Sequence, residues 1–421
     1  MLFSKLRNYQ VEFLRNHKNF KKYCEPKVVS FGPIHHKCKP EYRLTEEYKL
    51  RLTAEFIKKS KKSIEELYDM IKKNIKKLRV YFDEEVTKKY CDEALAWMLF
   101  VDGCATLQFI HSINDKSIKE FKIKDHQVAY VQIDLFLLEN QLPYQLLEDL
   151  MKNSAEEAKL RESIENFIDV HSMLCTTTKM PKDKEPIHLL DLLRRRLLGG
   201  KKDKTLDEDN KSGGSDWQSF RNVQELREAG ICLKRSRSSC LGDISFTKKR
   251  NLCSGILCLP PITVDDSIGP KFFNLIAYEM CSDFENDYGV TSYIAFLDSL
   301  IDEAKDVMEL RKAGILRNFL GSDGEVAELF NEICTDLVPN PELYRVVRCQ
   351  IQEDYDNKWI TWISQFYYTH FNSPWTTGAL FAAVFALALS IAQTWYAVMS
   401  YEDSKKQNNE QNHANLKDKF I

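Results

Sequence analysis

Gly378-Ala379-Leu380-Phe381-Ala382-Ala383-Val384-Phe385-Ala386-Leu387-Ala388-Leu389-Ser390-Ile391-Ala392-Gln393-Thr394-Trp395-Tyr396-Ala397-Val398-Met399 is a run of 22 residues without a charge. At about 1.5 Å of rise per residue it reaches roughly 33 Å as a helix, against a bilayer hydrocarbon core of about 30 Å. Trp375 before the run, and Trp395, Tyr396 and Tyr401 at its far end, fall where interfacial aromatics belong. A core helix seldom needs so long an uncharged stretch. Residues 375–400 are therefore expected to form a single transmembrane helix that docks the chain in a lipid bilayer, with a polar tail over 401–421.

Two signals oppose each other on sidedness. Lys405, Lys406, Lys417 and Lys419 follow the apolar run and only Lys358 lies close before it, so the positive-inside rule holds the tail in the cytosol. Against this, Met1 to Phe20 has no apolar run of signal-peptide length, being interrupted by Lys5, Arg7, Glu12, Arg15 and Lys18. The expectation follows the second signal: a cytosolic large domain and a short tail carried across.

Outward from this anchor, the chain reads as mainly α. Ile57, Ser60, Ile64, Leu67, Ile71, Ile75 and Leu78 recur every three or four residues, which predicts one long amphipathic helix with a lysine-rich outer face. Ala94 to Phe109 and Val128 to Leu138 predict strongly apolar helices, and Ala155 to Met173 another. Residues 23–196 thus form a helical first half, after an N-terminal segment over 1–22. Residues 197–216, with Gly199-Gly200, mixed charge and Ser212-Gly213-Gly214-Ser215, read as a flexible linker. The second half, 217–371, carries a minor β element at Ile231 to Leu233, Leu241 to Phe246 and Ile256 to Leu259, and helices resume near Lys271.

Composition narrows the function. The hydrophobic share of 43% and the charged share of 29% fit a folded domain. Lys and Arg number 60 against 62 Asp and Glu, which excludes a general nucleic-acid binder, since such affinity rests on excess positive charge. The 12 cysteines have no CxxC pair and read mostly as reduced thiols. No nucleotide loop, nucleophile elbow or metalloprotease motif is found, and no cofactor is implied.

Several motifs, in order, resemble the plant "domain of unknown function 247" family: Pro26-Lys27-Val28-Val29-Ser30-Phe31-Gly32-Pro33-Ile34-His35-His36; Phe100-Val101-Asp102-Gly103-Cys104; Asp134-Leu135-Phe136-Leu137-Leu138-Glu139-Asn140-Gln141-Leu142-Pro143-Tyr144; His188-Leu189-Leu190-Asp191-Leu192-Leu193; Leu259-Pro260-Pro261-Ile262-Thr263-Val264-Asp265-Asp266; Asn274-Leu275-Ile276-Ala277-Tyr278-Glu279; and Ser373-Pro374-Trp375. The resemblance spans about Tyr23 to Tyr401. The family's usual Gly after the paired histidines is Lys37 here, and its usual Met before Glu46 is Thr45. The resemblance implies a plant protein with a C-terminal membrane helix, no established enzymatic activity, and a part in recognition of the kind seen in self-incompatibility.

Candidate chemistry centres on six residues. His35, His36, Asp102, Glu139, Asn140 and Gln141 are expected to line a groove that recognises a protein or peptide, or to satisfy backbone where the helix breaks before Pro143. An enzyme site around Asp102, Glu139 and His35 is the rival reading. Neighbouring histidines in a strand point to opposite faces, so His35 and His36 with Cys24 and Cys38 make a poor zinc site. Cys104, among apolar neighbours, lacks the base or cation that activates a thiol.

Overall fold

The computed structural model describes residues 19–36, 38–172, 185–199, 222–248, 255–281, 287–335, 337–356 and 374–417. The N-terminal segment up to 18 and linker residues 200–216 lie outside the described residues.

The organising element is the helix whose sequence has no polar face. Leaving aside the one-turn helices at Phe20–Tyr23 and Glu84–Thr87, the first helices are α1 (Arg43–Ser60), α2 (Ile64–Arg79) and α3 (Asp92–Asn114), and α1 and α2 both pack on α3. A helix apolar all round must be covered all round, and α3 is buried from Leu95 to Ser112 with few gaps. Helices α4 (Asp125–Asp134), α5 (Tyr144–Lys152) and α6 (Glu157–Ser172) follow, and α5 and α6 close the remaining sides of α3. Gly103 allows this approach: a Cβ there would stand 2.7 Å from the Leu150 side chain.

The single helix expected over Ile57 to Leu78 is two. Lys61 takes a left-handed backbone, φ 57°, and Ser63 starts α2 by accepting from Glu66 N while the Glu66 carboxylate accepts from Ser63 N. The apolar period survives the corner because both helices face α3. The helix expected over Val128 to Leu138 ends at Asp134 and gives way to a tight turn at Leu138–Asn140. The Asn140 and Gln141 amides donate to the carbonyls of Asp134, Leu135 and Leu137, which replaces further helical bonding there.

Helix α7 (Leu189–Leu198) includes Leu197 and Leu198, so the first half runs slightly past 196. After α8 (Val223–Glu228) come β1 (Ile231–Arg235), β2 (Ser245–Lys248) and β3 (Gly255–Leu259), ordered β1-β3-β2 in one sheet. β1 runs parallel to β3 and β2 antiparallel to it, with Phe246 opposite Leu257. A second pair, β4 (Ile262–Val264) with β5 (Leu316–Asn318), is parallel and was not signalled by sequence. Three residues are too few to show a period. Helices α9 (Ile268–Glu279), α10 (Gly289–Asp298), α11 (Ala304–Lys312), α12 (Asp323–Ile333) and α13 (Arg345–Tyr355) complete the second half. One buried cluster runs from Tyr23 to Ile351 through both halves.

Last is α14 (Pro374–Lys417), 44 residues long, which carries the apolar run and continues into the polar tail. Two described helices are long and apolar enough to cross a membrane, α3 and the part of α14 over Gly378–Lys406. They differ in surroundings: α3 is almost wholly buried in the domain, and the α14 segment is wholly uncovered. The chain is thus mainly helical, with a small sheet and an exposed apolar helix at its end.

Candidate functional site: a strap pinned by buried polar side chains

Residues 27–36 cross the domain without helix or strand, so their backbone N–H and C=O groups need partners from elsewhere. The motif side chains supply them. The Asp134 carboxylate accepts from Lys27 N at 2.9 Å, Val28 N at 2.8 Å and Val29 N at 3.0 Å. Asn140 accepts from Phe31 N through Oδ1 at 2.7 Å and donates to Val29 O at 3.1 Å. Asp102 Oδ2 accepts from Gly32 N at 2.8 Å. Gly32 has φ 68°, a backbone that glycine adopts without strain.

Lys49 completes this anchorage. Its ammonium donates to Ser30 O and to Asp102 Oδ1, pairs with Glu46 Oε1 at 2.7 Å, and lies 5.2 Å over the Phe31 ring. Lys49 and Asp102 are each 2% exposed. Burial pushes the Asp102 carboxyl up, against the downward pull of Lys49. Burial pushes Lys49 down, but Asp102 and Glu46 outweigh it and leave the ammonium strengthened. Burial likewise brings Asp134 up to about 6 despite its three N–H donors. Thr45, the departure from the usual Met, places its hydroxyl 2.7 Å from both Val28 O and Tyr42 O, to either of which its one proton can be donated. Lys37, the other departure, lies outside the described residues.

All six sequence-selected residues therefore gather on or under this strap. Asp102, Asn140 and Gln141 are buried with their polar atoms engaged inside the fold; Gln141 Oε1 also accepts from Leu190 N at 3.1 Å. His35 Nε2 sits 3.1 Å from Glu139 Oε2, and His36 meets Tyr90 edge-on at 6.2 Å. His35, His36 and the edge of Glu139 are the members nearest solvent. Among the described residues, no group of three or more His, Cys, Asp or Glu side chains is placed to hold a metal ion. Cys24 and Cys104 are buried thiols that burial pushes upward, and among the described residues no cysteine forms a disulfide.

Sequence reading missed Lys49, Asp134, Asn274 and Glu279. Lys49 was hidden in a charged stretch that reads as solvated; the available signal was Asp102, a lone acid in an apolar helix that needs a cation. Asn274 accepts from Leu138 N and donates to Tyr23 O and Pro270 O. Glu279 holds Arg194 Nε at 2.6 Å and accepts from Val290 N, Thr291 N and the Thr291 hydroxyl. A further grouping, Ser163 Oγ 3.0 Å from His111 Nδ1 with Asp115 3.4 Å from Nε2, has the residue types of a nucleophile triad. Ser163 is buried in the face of α6 that packs on α3, so its hydroxyl is closed to a substrate.

These features define a class of protein: a helical domain whose irregular straps are fastened by buried carboxylates and amides, ending in an uncovered apolar helix. The chain belongs to the DUF247 family, plant protein of unknown function, whose model matches residues 9–389 and so includes the start of the apolar run. It is 29% identical to the UPF0481 protein At3g47200 of Arabidopsis thaliana, over 91% of this chain and 84% of that protein. It is 27% identical to the putative UPF0481 protein At3g02645 of the same plant, over 42% of this chain and 33% of that protein. No solved structure matches.

Proposed function

We propose that this chain is a membrane-anchored recognition protein: α14 spans a bilayer once, and the helical domain binds a protein or peptide partner by surface contact. The observation that carries the anchor is the contrast between α3 and α14. Composition is alike, yet α3 is covered by its own domain and the α14 segment exposes Phe381, Val384, Phe385, Leu387 and Ile391. So much contiguous apolar surface is unfavourable in water and favourable in hydrocarbon.

Recognition, as the resemblance implies, is favoured over catalysis by how the motif side chains are employed. Of the two carboxylates that the rival reading needs, Asp102 is already bonded to Gly32 N and to Lys49, and Glu139 is engaged by His35. A partner would meet the rim of the strap at His35, His36 and Glu139. We further propose that the domain faces the cytosol.

The test compares the full chain with one ending at Phe371 in carbonate-washed plant membranes. The full chain stays with the membrane and the shortened chain is released; equal release of both would remove the anchor. Affinity capture from those membranes, wild type against His35→Ala/His36→Ala, then separates the two functional readings. A specific partner lost in the double variant supports recognition, whereas turnover of a small molecule abolished by Glu139→Gln would install the enzyme instead.

A further inference from the structure

A basic stretch at the end of β1 plays no part in the strap, its staples or α14. Between Glu228 and Asp243 the chain has no acid, while Lys234, Arg235 and Arg237 fall within it. Among all 421 residues, Ser238 is the one serine or threonine with an arginine three places before it. Arg237 directly precedes it, Lys234 stands four places before and the apolar Leu233 five.

The fold presents this stretch as a loop. β1 ends at Arg235, and Ser236 N donates to Leu259 O at 2.7 Å as the chain leaves the sheet. From Ser236 to Ile244 no residue belongs to a helix or strand. Lys234 and Arg237 are exposed, and among the described residues neither has a hydrogen-bond or ion-pair partner. Ser238 is half-buried. Its Oγ accepts from Cys240 N at 3.2 Å, and among the described residues its own proton is given to no acceptor. Of the neighbouring hydroxyls, Ser236 and Ser239 lack an arginine at that spacing, and Ser239 is buried.

These are the features of a kinase substrate. A protein kinase needs a hydroxyl that it can deprotonate, a backbone that it can draw into its cleft, and a charge pattern that its own acidic groove can read. A merely solvated loop needs the cations but not their spacing about a free hydroxyl. We propose that Ser238 is a phosphorylation site for a serine/threonine kinase that reads basic residues, an inference that rests on the cytosolic placement proposed above. The Ser238 oxygen attacks the γ-phosphorus of ATP, and its proton passes to the kinase's catalytic aspartate. The new Oγ–P bond replaces the bond to the β-phosphate oxygen, and ADP leaves.

The product is a phosphate of charge about −1.5 to −2 among three cations, with Lys234 and Arg237 available to it. Three residues on, Leu241 N donates to Leu197 O at 2.9 Å and Leu241 O accepts from the Tyr344 hydroxyl at 3.2 Å. The modified loop therefore lies beside the point where the end of α7 and the start of α13 are held together.

The experiment incubates the full chain, purified in detergent, with ATP and the catalytic subunit of cyclic-AMP-dependent protein kinase, and maps phosphate by mass spectrometry. Ser238 takes up phosphate, Ser238→Ala does not, and Arg235→Lys slows uptake about tenfold, because lysine keeps the charge but not the planar fork. Ser238→Ala gives up one loop contact and Arg235→Lys none of the charge, so both variants fold. No uptake, equal uptake in Ser238→Ala or an unchanged rate in Arg235→Lys overturns the proposal. The chain isolated from plant cells carries the same phosphate. If it does not, and the sequon Asn210-Lys211-Ser212 is unglycosylated, the site alone falls; if Asn210 carries a glycan, the cytosolic placement falls and the site with it.

Discussion

His188 caps α7 as a neutral ring, its Nδ1 accepting from Asp191 N at 3.0 Å. Burial lowers its pKa to about 4, with Asp191 pulling the other way. The unfolded chain, near 6.5, binds the proton more readily, so stability is full above that value and falls as pH drops toward about 4. The loss amounts to about 3 kcal/mol. His188→Asn keeps an N-cap acceptor and removes the titration, so urea unfolding between pH 7 and 4.5 should show a markedly shallower decline. An unchanged slope would refute this assignment.

At the same scale, Lys49→Met strands Asp102 in the core with Gly32 N still donating to it. Breaking one partner of a buried pair costs about 3–5 kcal/mol, and adding Asp102→Asn should recover part of that loss. Denaturant midpoints of the two variants check it; a Lys49→Met loss below about 1 kcal/mol would mean that the strap is not held through this pair. Residue identities in the strap region were legible because polar groups in apolar runs need partners. What they bond to was not. The partners of Asp134 lie more than 100 residues earlier in the chain, and no local pattern connects them.

Among elements, the corner between α1 and α2 shows how period and punctuation compete. The apolar spacing from Ile57 to Leu78 continues through a break that Ser63 and Glu66 announce three residues apart. The capping signature was in the sequence and was overridden by the period. Ser63→Ala removes one side of the box and should lower stability by about 1 kcal/mol without altering the domain's circular dichroism; no measurable loss would leave Lys61 to make the turn alone. The end of α4 is the converse, since its stop depends on amides of Asn140 and Gln141 folding back on the preceding carbonyls. The start of α12 is wholly local: the Ser322 hydroxyl accepts from Glu325 N three residues on. The short parallel pairing of β4 with β5 joins segments some 50 residues apart and leaves no trace in either.

On the scale of the whole molecule, one core unites the two halves, and α14 stands apart from it with its apolar side chains uncovered. The central claim is that this helix crosses a bilayer with the domain on the cytosolic side. The chain holds one Asn-x-Ser/Thr sequon with a permitted middle residue and context, Asn210-Lys211-Ser212, on the domain side of α14. A second sequon, engineered near Asn412, reports on the tail. The measurement is glycosylation mapping of the full chain made in plant cells. The account predicts that Asn210 stays unmodified while the engineered tail site acquires a glycan. Modification of Asn210, abolished by Asn210→Gln, would reverse the orientation, and no glycan at either site in a chain that carbonate releases would contradict the membrane span itself.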